Sequence, residues 1–109
     1  MTDRELLELA AKAAGIAAQW DCPERGMMVL MPDGNDTMTW NPLADDGDAL
    51  RLVVKCKLHI GMESHTVSAW QKDRFGNFQT EELDAPGCDA EATRRAIVRA
   101  AAAIGKAMP

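Results

Sequence analysis

The run from residue 89 to residue 108, "DAEATRRAIVRAAAAIGKAM", is the feature that most constrains the fold of this chain. Its apolar residues recur at helical spacing, which predicts a helix with one buried stripe. The predicted stripe consists of Ile97, Ala100, Ile104 and Met108. Arg95, Arg99 and Lys106 fall on the far side. Alanine-rich helices pack closely, so the sequence allows a dimer.

Length and composition indicate one globular domain spanning residues 1–109. A domain of this size buries roughly two-thirds of the surface that its unfolded chain exposes. Hydrophobic residues make up 47% of the chain and charged residues 27%, a balance typical of a folded protein. Aromatic residues are only 5% and tyrosine is absent, so we expect a core of aliphatic residues, methionine and alanine.

The charge balance argues against a protein that coats nucleic acid or anionic lipid. The net charge is -5, whereas such binding requires many lysines and arginines. No apolar run approaches the roughly 20 residues that span a bilayer, and the N-terminus is unlike a signal peptide. The cysteines at 22, 56 and 88 form no Cys-x-x-Cys pair. We therefore expect a cytoplasmic protein with reduced thiols and no membrane contact.

The first half of the chain predicts one helix and three strands. "TDRE" is a capping-box pattern in which Thr2 caps a helix over residues 2–14, and Gly15 is a left-handed stop. "IAAQW" predicts a short strand. Residues 27–31 and 37–40 are predicted to pair as a hairpin across "PDGND".

The segment "LADDGDALRLVVKCKLHI" fits both helical and strand periodicity. The aspartates before it favour a helix, because carboxylates accept from the exposed N–H groups at a helix start. We predict a helix over residues 46–58, with Ile60 and Gly61 as its exit. Asp46 is the expected cap, with a larger contribution than Asp45. The spacing of the acids does not match a calcium loop.

Two more strands, "SHTVSAWQ" and "NFQTEEL", complete the prediction, followed by "DAPGC" as a connection. The expected order is α-β-β-β-α-β-β-α. The fold class is α+β, with an antiparallel sheet of about four strands packed with three helices.

Chemistry-bearing residues are few, and we expect no catalytic residue, no metal site and no cofactor. Cys56, His59 and His65 could hold zinc or form a cysteine nucleophile, but the two short ligand pairs of a structural zinc site are missing. No phosphate-binding motif occurs. Candidates for a partner surface are two tryptophans and the basic residues of the last helix: Trp40, Trp70, Arg94, Arg95, Arg99 and Lys106.

"WNPLADDGDALRLVVK" and the last helix together resemble the phage ABA-sandwich domain family, small phage and prophage proteins. The matching positions are Trp40, Asn41, Pro42, Asp46, Ala49, Leu52, Thr93, Ala96, Ile97 and Ala100. The resemblance implies an α/β/α or α+β sandwich around an antiparallel sheet, and a phage or prophage origin. It supplies no activity and no catalytic residue.

These observations favour a non-enzymatic, phage-encoded protein of the bacterial cytoplasm that binds a macromolecule, with a host protein as its partner. One alternative is a nucleic-acid-binding accessory protein that uses Arg94, Arg95, Arg99 and Lys106. Another is a small metal protein or enzyme that uses Cys56, His59 or His65. Both a monomer and a homodimer are compatible with the sequence.

Overall fold

The computed structural model describes residues 2–22, 26–30, 37–62, 66–71, 83–86 and 89–108. Three helices and six strands lie within these ranges. The helices are α1 (Asp3–Ala14), α2 (Asp46–Cys56) and α3 (Ala90–Ala107). The strands are β1 (Ala18–Cys22), β2 (Gly26–Leu30), β3 (Thr37–Trp40), β4 (His59–Met62), β5 (Thr66–Trp70) and β6 (Leu83–Pro86).

The described strands form two antiparallel sheets of three strands each. The first has the order β1-β2-β3 and the second β4-β5-β6. The predicted α+β class and the three helices are confirmed. The expected single sheet of about four strands is instead divided in two, because β3 is followed by α2 and β4 pairs only with β5 among the described strands.

The ends of α1 follow the local sequence signals. The Glu5 N–H donates to Thr2 Oγ1 at 3.2 Å, so Thr2 caps the helix. Gly15 has φ of +70°, and its N–H donates to the carbonyls of Ala11 and Lys12. Glycine adopts the left-handed conformation at this point with little strain, because it has no Cβ to clash.

The predicted hairpin between residues 27 and 40 is also present. Met27 lies opposite Trp40 and Met28 opposite Thr39 in the β2–β3 register. The connecting residues 31–36 lie outside the described part of the chain. Strand β1 starts at Ala18 rather than at Ile16, and it carries an irregularity between Trp20 and Cys22.

The C-terminal side of α2 differs from the prediction. The helix ends at Cys56, and Lys57 takes the left-handed conformation with φ of +55°. Ile60 and Gly61, expected as the exit of the helix, belong to strand β4. Ile60 lies opposite Ala69 of β5, so pairing with a later segment of the chain makes this stretch a strand.

Strand β6 begins where the predicted "NFQTEEL" strand ends. Residues 77–82 lie outside the described ranges, and of the predicted strand the structure describes Leu83. Residues 84–86, predicted as part of a connection, belong to β6 and pair with β5. The long-range pairing with β5 determines this position.

Helices α1 and α3 pack side by side at very short range. A Cβ on Gly105 would overlap the carbonyl oxygen of Leu9 and lie 2.8 Å from its carbonyl carbon. Glycine at this site therefore allows the two backbones to approach. Around the contact, the core takes in Leu6, Leu7, Ala10, Ala14, Ala96, Ile97, Ala100 and Ala101.

The buried stripe of α3 is close to the predicted one. Ile97 and Ala100 are buried and Ile104 is partly buried. Met108 is exposed, because α3 ends at Ala107 and the chain leaves the helix there. None of the described helices is long and apolar enough to cross a membrane.

Candidate functional site

The aspartates before α2 start the helix and fix the turn that precedes it. Asp45, not Asp46, is the cap: its Oδ2 accepts from the Asp48 N–H at 2.8 Å. The expectation that Asp46 caps α2 is wrong. Asp46 is already the first helical residue, so its side chain lies past the position from which a cap bonds.

Asp48 is buried, and its carboxylate is satisfied within the protein. Its Oδ2 accepts from the Asn41 N–H and its Oδ1 from Arg51, both at 3.0 Å. Asn41 in turn accepts from the Leu43 N–H, which closes the turn. Within the described ranges, no three acidic, cysteine or histidine residues gather as a metal site.

Cys56 and His59 lie in different environments. Cys56 is buried, and burial raises the pKa of its thiol above the ordinary value of 9.0. Such a shift favours the thiol over the thiolate, which is the reactive form. His59 is exposed and stacks on Trp70 with ring centroids 5.8 Å apart. His65 and Cys88 lie outside the described residues.

The arginines of α3 bond to other parts of the protein. The Arg94 side chain is 19% exposed; its Nε donates to the Leu43 carbonyl at 2.9 Å and its NH1 to Asp46 at 2.6 Å. Arg95 donates to Asp3 at 3.4 Å. Arg94 is thus a structural link and not part of an open basic face. Arg99 is partly buried and Lys106 exposed.

The two tryptophans proposed for a partner surface lie in different settings. Trp40 is 5% exposed and belongs to the core, so it offers a partner little contact area. It is buried because β3 places it opposite the core residue Met27. Trp70 is partly buried against His59.

Helix α2 carries an exposed apolar surface that the sequence analysis did not predict. Leu50 is 64% exposed and Val54 70%, while Met62 of β4 is 61% exposed. Leu50 and Met62 line one open groove of about 450 Å³ between α2, β4 and α3, the α2–α3 groove. Its other residues are Asp46, Ala49, Val53, Ile60, Asp89, Ala90, Thr93, Arg94 and Ile97.

A second groove lies on the other side of α2. This Met38 groove has a volume of about 400 Å³ and lies between the end of α1, the first sheet and α2. Its walls are apolar, formed by Ala14, Ile16, Val29, Met38, Trp40 and Leu52. The α2 residues Arg51 and Lys55, both exposed, and the buried Asp48 complete the lining.

The spacing of apolar residues along α2 indicates which of them are left exposed. The buried residues Ala49, Leu52 and Cys56 define one side of α2 at helical spacing. Leu50 and Val54, four residues apart, lie off that side and are left for solvent. Exposed large apolar residues that adjoin a groove are typical of interaction surfaces.

Comparisons with known proteins add no family to this description. A scan against protein-family models, a search of curated proteins and a search of solved structures each find no match to the chain.

Proposed function

We propose that this chain is a phage- or prophage-derived, non-enzymatic protein of the bacterial cytoplasm that binds a host protein. The observation that supports binding is the Met38 groove, an apolar cleft with two exposed cations at its edge. Protein interfaces commonly bury an apolar anchor in a cleft, surrounded by polar and charged residues that set orientation.

The charges at the edge define the kind of partner segment. Asp48 is already bonded to Asn41 and Arg51, which leaves the edge with the positive charge of Lys55 in excess. A complementary segment would insert an apolar side chain beside Met38 and place an acidic residue near Lys55. Charge matching of this kind sets orientation and association rate.

The proposed phage origin rests on the residues of the family resemblance. Several of them are buried in the core: Pro42, Ala49, Leu52, Ala96, Ile97 and Ala100. These positions belong to the scaffold, and Ala49, Leu52 and Ile97 also line the two grooves. A fold alone does not define a function, so the partner has to be inferred from the surface.

The arrangement of charge gives less support to nucleic-acid binding. Arg94 and Arg95 are bonded to Asp46 and Asp3, so each cation is offset by a neighbouring carboxylate. Binding to phosphates requires cations that are free to replace counterions.

Capture of a host protein, followed by direct titration, tests the proposal. The protein is immobilised, a bacterial host extract is passed over it, and the retained protein is identified by mass and purified. Its affinity is then measured for the unmodified chain, Met38→Glu and Met108→Glu. We expect Met38→Glu to weaken binding by about tenfold or more, since it places a charge in the apolar cleft.

Met108→Glu is the matched control, because Met108 is also exposed and lies outside both grooves. It should bind like the unmodified chain. Equal affinity of the Met38→Glu protein would remove the groove from the proposal. Turnover in a broad hydrolase and transferase screen, lost on mutation of a polar cluster, would contradict the non-enzymatic assignment.

A further inference from the structure

Helix α2 and its C-terminal cap carry, beside the α2–α3 groove, a stripe of charged and apolar residues that is complementary to a second copy of itself. Asp46, Leu50 and Val53 follow one another at spacings of four and three residues, so they lie along one side of α2, the spacing found in helices that pair with each other. Lys57, four residues after Val53, caps the C-terminal end of the helix in the left-handed conformation. Asp46, Leu50 and Lys57 are exposed and Val53 is partly buried.

The two ends of this stripe carry opposite charges. Asp46 stands at the start of α2, the two apolar residues at its middle and Lys57 at its end. In an antiparallel pair of α2 helices, the register that sets Asp46 against Lys57 of a second copy also sets Leu50 against Val53 of that copy. A two-fold axis would produce each contact twice.

We propose that a second copy of this chain docks on α2, with the two α2 helices antiparallel and their stripes in contact. Charge complementarity favours this occupant, because the stripe carries both the acid and the base that its mate requires. The Asp46 side chain is 78% exposed even though its Oδ1 accepts from Arg94, so the carboxylate remains accessible.

The exposed apolar residues beside the stripe support the same contact. Leu50, Val54 and Met62 are more exposed than the other large hydrophobic residues described. Leu50 would be covered directly by the second α2, while Val54 and Met62 lie beside it. Clustered exposure of this kind is uncommon on a surface that stays in water.

This contact is independent of the proposed host-protein site. The α2 residues of the α2–α3 groove are Asp46, Ala49, Leu50 and Val53, whereas those of the Met38 groove are Asp48, Arg51, Leu52 and Lys55. At 3.6 residues per turn the two sets fall on opposite sides of the helix. The dimer would leave both Met38 grooves open.

Sedimentation equilibrium over a concentration series tests the dimer. The unmodified chain should show a reversible monomer–dimer equilibrium. Lys57→Glu should raise the dissociation constant about tenfold or more. The new carboxylate of each copy would face Asp46 of the other copy, and the two like charges would repel each other at both ends of the contact. Asp46→Lys should have a similar effect, and the double variant Asp46→Lys, Lys57→Glu should restore most of the affinity.

Two further variants test whether this surface, and not another one, forms the dimer. Leu50→Glu should give a monomer, whereas Met38→Glu, also an exposed apolar residue, should dimerise like the unmodified chain. Circular dichroism melts establish that each variant is folded. A monomer at every concentration would overturn the proposal. A dimer indifferent to Leu50→Glu and to the charge reversals would also overturn it, since another surface would then be in contact.

Discussion

Asp45 and Asp46 are adjacent carboxylates with different partners. Asp45 precedes the helix in an extended conformation and accepts from the Asp48 N–H. Asp46 lies inside the first turn and bonds to Arg94 of α3. A shift of one residue thus separates a cap from a surface ion pair, because a cap must lie outside the helix to reach its first free N–H groups.

We expect Asp45→Ala to lower the free energy of unfolding by about 1 kcal/mol through loss of the cap. Asp46→Ala should cost less, because ion pairs with a solvent-exposed partner contribute little. Urea unfolding near pH 7 measures both, with Leu50→Glu present in every protein to remove self-association. Asp45→Asn is the control and should retain most of the stability. A larger loss for Asp46→Ala would contradict this assignment.

At the scale of elements, the contact between α1 and α3 depends on one residue without a side chain. Gly105 is buried, and the place of its missing Cβ is taken by the backbone at Leu9. Glycine inside a helix normally lowers stability relative to alanine by about 1 kcal/mol. Here the close approach of two backbones, and the apolar area that it buries, offsets that loss.

Gly105→Ala should therefore destabilise the protein by about 1–3 kcal/mol, the usual cost of overpacking, although helix propensity alone predicts a gain. Chemical denaturation gives the sign directly. Ala103→Gly, two residues away on the same helix and partly exposed, provides the scale of the propensity effect. It should cost about 1 kcal/mol. A rise in stability for Gly105→Ala would mean that the helices can move apart freely.

Across the whole molecule, α3 is tied to a distant part of the chain through Arg94. Its guanidinium reaches the Leu43 carbonyl and Asp46, at the turn that leads into α2. Arg95, the next residue, reaches Asp3 at 3.4 Å with 41% of its side chain exposed. The two arginines differ in burial and in the length of their bonds, and so in their expected contributions.

Arg94→Met should lower the free energy of unfolding by about 1–3 kcal/mol, since it removes hydrogen bonds to a carbonyl and a carboxylate and keeps an apolar stem. The matched change Arg95→Met should cost no more than about 0.5 kcal/mol, as is usual for exposed pairs. Thermal and urea unfolding at moderate salt compare the two. Equal losses would show that Arg94 is not a special link between α3 and α2.

The local sequence determined the features that depend on neighbouring residues. The cap at Thr2 and the stop at Gly15 follow from side chains a few positions apart. The start of α2 was predicted to within one residue, although its cap was assigned to Asp46 in place of Asp45. Such signals act through hydrogen bonds within a single turn, so they need no tertiary context.

Contacts between distant segments determine the features that the local sequence does not predict. Strand β4 exists because β5 pairs with it, Trp40 is buried because β2 lies opposite, and Arg94 points at a turn some fifty positions away. Periodicity identifies which residues share a helix side, but packing decides which sides are covered. Leu50 and Val54 are exposed because the core lies against the other side of α2, a fact that only the tertiary structure could establish.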